Sequence, residues 1–400
     1  MGKLRFRVSI GDILFCISMV FVVGFPNPSI FKALAIIAFF GYTVAVSFLR
    51  RIKTQNAIQY IGWFCFLAFC HLSKMWSKVP AAADDVLMNL LWSVLISIAI
   101  VNYVAIYELS IMDMIKRVLV IILVFFADVI FNGGYVEGRY TIVIGDYMLN
   151  ENVFGQITIG FAAYMLYWFK KNKRNPILIG GILLILVSLS LASGSRKSLV
   201  SLVIFILLFA LCEYPPKSMF KLIARIFCGV AVVAIFCVLM MNIGALRSSI
   251  GVRIESMFEF FEGNVDADGS LATRALMLKT ASEMFFEKPI LGHGINSFAY
   301  TTEFGAYAHN NYMELLANVG IVGFALYYIP ILSYFAKAVS CWRAKHEDSI
   351  FSLAVILVYI LNDFVMVSYS SMVSQAFLAI AIGLSINMRK NSSVSHKTIL

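Results

Sequence analysis

Apolar runs about 20 residues long recur from one end of this chain to the other, and each is long enough to cross roughly 30 Å of hydrocarbon as a helix. Twelve are recognisable, at residues 9–25, 29–49, 57–72, 86–106, 115–132, 153–169, 176–193, 197–212, 222–243, 310–334, 350–366 and 372–388. In lipid every backbone polar group must be satisfied within the protein, which a helix does by itself. The pattern predicts an all-α fold: a polytopic membrane bundle of about 12 transmembrane helices with one large outer loop. Composition points the same way, with 61 % hydrophobic and only 14 % charged residues and a mean hydropathy of +0.86. Charged residues make up about a quarter of soluble proteins. A water-soluble enzyme, a disordered chain and a secreted disulfide scaffold are excluded.

The net charge of +10 belongs to the topology. With the N-terminus inside, the inner segments carry most of the Lys and Arg: Lys3, Arg5 and Arg7, then Arg50, Arg51 and Lys53, then Lys116 and Arg117. Lys170 to Arg174, Lys217 to Arg225, Lys337 to Lys345, and Arg389 with Lys390 continue the series. Every inner loop is basic and the outer side is net acidic, so both termini are expected in the cytoplasm, and no nucleic-acid partner is implied. The seven cysteines fall in spans or on the inner side, away from an oxidising compartment. Gly24-Phe25-Pro26 offers no small-x-small cleavage site, so the first run reads as an uncleaved span.

Two outer segments depart from the short connections, residues 133–152 and, above all, 244–309. The expected division is nine spans over 1–243, a large periplasmic loop over 244–309, three spans over 310–388 and a cytoplasmic tail over 389–400. A loop of that length in a tightly connected bundle is usually functional. Within it, Leu276, Leu278, Ala281 and Phe285, flanked by Met277 and Met284, predict an amphipathic helix from Arg274 to Phe286 lying on the outer membrane surface. Lys288-Pro289 should stop it, Gly292-His293-Gly294 should turn, and Asn310 can cap the next span.

Three polar features stand at the outer boundary, where ionisable groups are costly to bury. Ser193-Gly194-Ser195-Arg196-Lys197-Ser198 breaks the chain between two spans and puts a helix N-terminus beside two cations, a phosphate or diphosphate site. A tight turn with Arg196 snorkelling to headgroups fits the same spacing. Arg196 is the stronger specific contact, since guanidinium is a bidentate fork and Lys197 only a point charge. Next, His309 opens the tenth run with Asn310 beside it and Glu314 further in, a general base near neutral pH or a simple helix cap. Finally, Arg274, with Arg247 and Arg253 earlier in the loop, adds cationic density that suits an anionic ligand. Ordinary pairing with Glu255, Glu259 or Glu262 accounts for Arg247 and Arg253.

Other polar residues carry less. Asp128 and Asp363 could pair with the arginines, bind sugar hydroxyls or hydrogen-bond between helices. Glu137, Arg139 and Asp146 read as solvated, His293 as part of a turn, and Tyr300, Tyr307 and Tyr312 as interfacial anchors or sugar-stacking rings. Asn264-x-Asp266-x-Asp268-Gly269 opens like a calcium loop, but Ala275 stands where a bidentate Glu is needed, so it reads as a surface turn.

Ser-Gly-Ser-Arg after a span, an Arg-led helix ending at Pro289-Ile290-Leu291-Gly292-x-Gly294, and His309-Asn310 followed by Gly320-x-x-Gly323 together resemble the bacterial O-antigen polymerase and O-antigen ligase superfamily. The resemblance implies a metal-independent, cofactor-free, inverting glycosyltransferase in the bacterial inner membrane. Its site would face the periplasm, and its donor would be an undecaprenyl-diphosphate-linked oligosaccharide. By that likeness Arg196 and Arg274 hold the diphosphate and His309 is the catalytic base, with Ser195, Lys197, Asn310 and Glu314 in support. The Arg-x10-Gly pattern of some polymerases is absent. A polymerase is the first expectation and a ligase acting on lipid A-core the second; a chain-length regulator and a flippase are partners implied by the family. From a different class, a flippase would place ionisable groups at the midplane and use discontinuous helices.

Overall fold

The computed structural model describes residues 8–23, 30–50, 57–213 except 137, 146 and 172–174, scattered positions between 218 and 259, and 269–397 except 347 and 348. Within these, the side chains of 57–59, 196, 199, 212, 213 and 388–397 are not described. Most of the ninth apolar run, Arg247, Arg253, Glu137, Asp146 and most of the calcium-like turn lie outside the described residues.

The other eleven runs are helices. In chain order they are α1 (Ile10–Val23), α2 (Ile30–Leu49), α3 (Ala57–Leu72), α4 (Ala83–Ile106), α5 (Ile111–Asn132), α6 (Glu151–Lys171), α7 (Pro176–Ala192) and α8 (Arg196–Glu213). After the long segment, whose described part holds α9 (Gly269–Glu287) and α10 (Ser297–Thr301), come α11 (Asn311–Arg343), α12 (Ser349–Asn362) and α13 (Met372–Lys397). The last helix runs through most of the stretch expected as a tail. Among the described residues, three segments, Ile30–Leu49, Pro80–Ile106 and Asn311–Arg343, are long and apolar enough to cross a membrane, and shorter apolar helices accompany them. This is a membrane protein, nearly all-α.

The exception to all-α lies in the smaller outer segment. Antiparallel strands β1 (Gly133–Val136), β2 (Arg139–Ile144) and β3 (Tyr147–Met148) form a three-stranded sheet in that order. Tyr135, Tyr140, Thr141, Ile142 and Val143 have the β-branched and aromatic character that such strands favour, but runs this short carry little period-2 signal.

The core is apolar with hydroxyl-bearing rings set into it. Tyr103, Tyr164, Tyr327, Tyr334 and Tyr369 are fully buried. Tyr327 and the buried Tyr359 hydrogen-bond each other, and Gln375 Nε2 donates to both, at 2.8 and 2.7 Å. At the end of the bundle away from the Ser193 turn, Arg117 Nε donates to Asp12 Oδ1 at 2.5 Å and to Tyr103. Burying an unpartnered polar group in such surroundings would cost several kcal/mol (roughly 2–7).

Candidate active site

The Ser193–Ser198 segment is a tight turn from α7 into α8, with Gly194 in the left-handed region at φ 64°. Its hydroxyls are turned inward. Ser193 Oγ donates to the Ser190 carbonyl at 2.7 Å, Ser195 Oγ to Asn152 Oδ1 at 3.1 Å, and Ser198 Oγ to Ser195 Oγ at 2.8 Å. Helix α6 approaches so closely that a Cβ on Gly155 would stand 2.5 Å from Ser198 Oγ. Ser195 is buried and positions the turn; its hydroxyl is engaged by protein. Arg196 is the first residue of α8, and its side chain lies outside the described atoms.

Arg139 is not solvated, contrary to its reading from sequence. From the start of β2 it reaches Glu151 at 3.1 Å, the Ser193 carbonyl at 2.9 Å and Asn152 Oδ1 at 3.4 Å. It fastens the sheet and the N-terminus of α6 to the Ser turn. No sequence spacing links residue 139 to 193; the sheet brings them together.

The amphipathic helix α9 extends further back than expected, starting at Gly269 and stopping at Glu287. Its buried stripe is Met277, Ala281 and Met284, at i, i+4 and i+7. This stripe packs on Phe298, Ala308 and Ala317, so the face expected on the membrane surface is seated on protein. Leu276 and Leu278 are the exposed ones.

After α9 the chain plugs a break in α11. Gly320, at φ 61°, interrupts the helix and frees backbone groups on both sides. The His293 and Gly294 N–H groups donate to the Ala317 and Asn318 carbonyls at 3.1 and 2.7 Å. In return the Ile321 and Val322 N–H groups donate to the Pro289 and Ile290 carbonyls, at 2.9 and 3.2 Å. The backbones touch: a Cβ on Gly320 would lie 2.3 Å from the Ile290 carbonyl oxygen, and one on Gly292 would lie 2.5 Å from that of Asn318. This contact explains why the Pro289–Gly294 and Gly320-x-x-Gly323 motifs occur together. His293 is buried there, one ring nitrogen 2.9 Å from the Met284 carbonyl.

His309 follows at the mouth of α11, itself at φ 54°, a conformation uncommon for a non-glycine residue. Two neighbours hold it. Asn310 caps α11, its Oδ1 accepting from Met313 N–H at 2.9 Å, and donates to the Phe364 carbonyl at 3.1 Å. Glu314, 1 % exposed, accepts from the Ala308 N–H at 2.6 Å and from Asn318 Nδ2 at 2.7 Å, tying the peptide before His309 to the helix. The ring of Tyr307 stands 4.5 Å from that of His309.

Arg274, Lys197 and His309, 112 residues apart at the extremes of the sequence, come within electrostatic range of one another. Burial, then the positive charges of Arg274 and Lys197, push the His309 imidazole down to about 4 from 6.5. It is therefore neutral at physiological pH and able to accept a proton. Burial also raises the Tyr307 phenol, with the Glu314 carboxylate adding to the shift and Arg274 opposing it.

The remaining candidates are structural. Fully buried Asp363 accepts from Tyr328 at 2.7 Å, Asn311 at 3.3 Å and Ser368, and Asn311 Oδ1 accepts from the Ser368 and Tyr369 N–H groups. This network, in which Asn311 was missed from sequence, pins the 363–371 loop to the start of α11. Asp128 is buried in α5 and accepts from Asn132 at 2.6 Å. Tyr312 donates to the Ile360 carbonyl at 2.7 Å, and Tyr300 is exposed.

Two cations and a neutral imidazole thus come within electrostatic range of one another in a helical membrane protein. Residues 180–328 match the family model described as O-Antigen ligase, which supports the likeness to the O-antigen polymerase and ligase superfamily. The matched stretch runs from α7 to the first part of α11 and includes Arg196, Lys197, Arg274 and His309. No curated protein matches the sequence.

Proposed function

We propose that the chain is a surface-polysaccharide polymerase of the bacterial inner membrane. It would transfer glycan from an undecaprenyl-diphosphate carrier to the end sugar of another lipid-linked repeat unit on the periplasmic face. The observation that carries this reading is the neutral His309 beside Arg274 and Lys197. His309 takes the proton of the acceptor hydroxyl as its oxygen attacks the anomeric carbon from the face opposite the leaving group. The C–O bond to the diphosphate breaks with inversion, and the departing oxygen keeps the electron pair. Arg274 and Lys197, with Arg196 by family likeness, neutralise the charge that develops there. The lipid diphosphate already carries the activation, so no nucleotide is needed.

A second reading, ligation of the glycan to lipid A-core, is favoured by the description of the matching family model. The two share this chemistry and differ in acceptor. A flippase draws support from the discontinuous α11, but the break is bridged by the backbone of 289–294, which pairs with the Ala317 and Asn318 carbonyls and the Ile321 and Val322 N–H groups. A chain-length regulator and a flippase remain proposed partners. The deciding test is deletion of the gene in its native host, with lipopolysaccharide and carrier-linked glycans compared on gels. Core bearing one repeat unit without the longer ladder supports a polymerase. Bare core with polymer accumulating on the carrier supports a ligase, and an unchanged pattern overturns both.

A further inference from the structure

Helix α11 doubles back on itself. Asn311 Nδ2 donates to the Tyr328 hydroxyl at 2.8 Å, and the Tyr312 ring stacks on that of Tyr328 with centroids 4.9 Å apart. Along one straight helix, the 17 residues from Asn311 to Tyr328 would span about 25 Å. The reversal is at Gly320, so 311–319 and 321–343 are two limbs of a hairpin, and its apex is Gly320 with the 289–294 backbone paired to it. Arg343 belongs to the basic series expected inside, which makes this apex the outermost part of α11. Its surface is nevertheless apolar. Phe286, Ile290, Leu291 and Ile321 are 74, 65, 44 and 54 % exposed, a grouping that would be unfavourable against water.

We propose that this apex, Phe286 to Leu291 with Ile321, is immersed in the outer leaflet of the membrane. Three observations support lipid as the occupant. The patch continues an exposed stripe down the inner limb, since Ile321, Ile329 and Leu332 share one helical face and each is more than half exposed. Its depth fits: from Ile321 to Lys337, the first cation along α11, is about 24 Å of helix, and to Arg343 about 33 Å, which brackets a hydrocarbon core of roughly 30 Å. The backbone is also prepared for lipid. The carbonyls of Lys288, Pro289 and Ile290 accept from the Gly292, Ile321 and Val322 N–H groups at 3.0, 2.9 and 3.2 Å, and Pro289 has no N–H to satisfy. Exposed Lys288 carries its charge on a stem long enough to reach the lipid phosphates. Helix α9, which carries Arg274, is then held to the membrane by its C-terminal end while its buried stripe stays on Ala308 and Ala317. His309, two residues before Asn311, stands nearer the membrane midplane than the apex does.

The test reconstitutes the full-length protein in phosphatidylethanolamine and phosphatidylglycerol vesicles containing a phospholipid with a diazirine on its acyl chain. After illumination, mass spectrometry of the wild-type protein should place adducts on 286–291 as well as on Ile329 and Leu332, and none on exposed Glu283 in the preceding turn. Adducts on Ile329 and Leu332 with none on 286–291 overturn the proposal. A second measurement reads the environment of the patch. In a variant lacking the seven native cysteines, a nitroxide on Ile290→Cys should be more accessible to oxygen than to a water-soluble nickel chelate, as on Ile329→Cys, and one on Glu283→Cys should show the reverse order. A label at 290 open to the nickel chelate puts the patch in water, and one shielded from both reagents puts a protein partner or a second copy on it; either result overturns the proposal. The photolabelling needs no variant to fold. Neither readout involves glycosyl transfer, so transfer that persists in His309→Ala would defeat the reading of the site and leave the depth of the apex untouched.

Discussion

At the scale of single residues, the proposed reaction needs one imidazole kept neutral beside two cations. His309 is held near 4 in the folded protein against 6.5 in an unfolded chain, so the unfolded state binds more protons between those values. Stability relative to neutral pH should therefore decline as pH falls from about 6.5 toward 4, and His309→Gln should flatten that decline in thermal unfolding curves. Kinetics should carry the same signature. The acid limb of kcat/KM, which reports free enzyme, should lie well below 6.5. The limb of kcat should lie higher, because a bound diphosphate offsets the fields of Arg274 and Lys197; coincident limbs would contradict the assignment. His309→Ala should lower the transfer rate by about 10²- to 10⁴-fold without loss of the fold, the range expected when a general base is removed.

At the scale of elements, the proposed base, His309, stands at the start of a helix broken at Gly320, with a strand of backbone filling the break. Gly320→Ala combines a positive φ with a contact of 2.3 Å to the Ile290 carbonyl oxygen, and neither can relax without moving both segments. It should cost at least about 1–3 kcal/mol, and with it the seat of α9. Protease accessibility of the 288–294 segment is the measurement. Glu314→Ala is a subtler lesion. It leaves the Ala308 N–H and Asn318 Nδ2 without their carboxylate, about 1–3 kcal/mol for each buried group. Because that N–H belongs to the peptide next to His309, kcat should fall more than KM rises, and Glu314→Gln should restore part of it. A purely structural brace would lower the amount of folded protein and leave the kinetics of what remains unchanged.

At the scale of the whole molecule, the distribution of Lys and Arg predicts a bundle with the Ser turn, α9 and His309 on the outer side. Exposed Glu283 on α9 and exposed Lys345 after α11 then fall on opposite sides of the membrane. A membrane-impermeant thiol reagent should label Glu283→Cys in intact spheroplasts and Lys345→Cys only after permeabilisation. The reverse pattern would invert the topology and remove the periplasmic assignment.

The apolar runs by themselves pointed to the helical membrane fold, and eleven of them appear as helices, nine within four residues of where hydropathy puts them, while α11 and α13 run on nine residues further. Residue chemistry also singled out His309, Arg196 and Arg274 as candidates, with Lys197 in support, because charge at a lipid boundary is costly enough to stand out. Other roles were decided by tertiary structure. Arg139 looked solvated until a short sheet carried it to Glu151 and the Ser turn, and the face of α9 read as membrane-bound is seated on Ala308 and Ala317. The pairing of Pro289–Gly294 with Gly320 could not be read from spacing at all. Hydropathy records how much apolar surface a segment must hide, but which surface hides it depends on contacts between segments far apart in the chain.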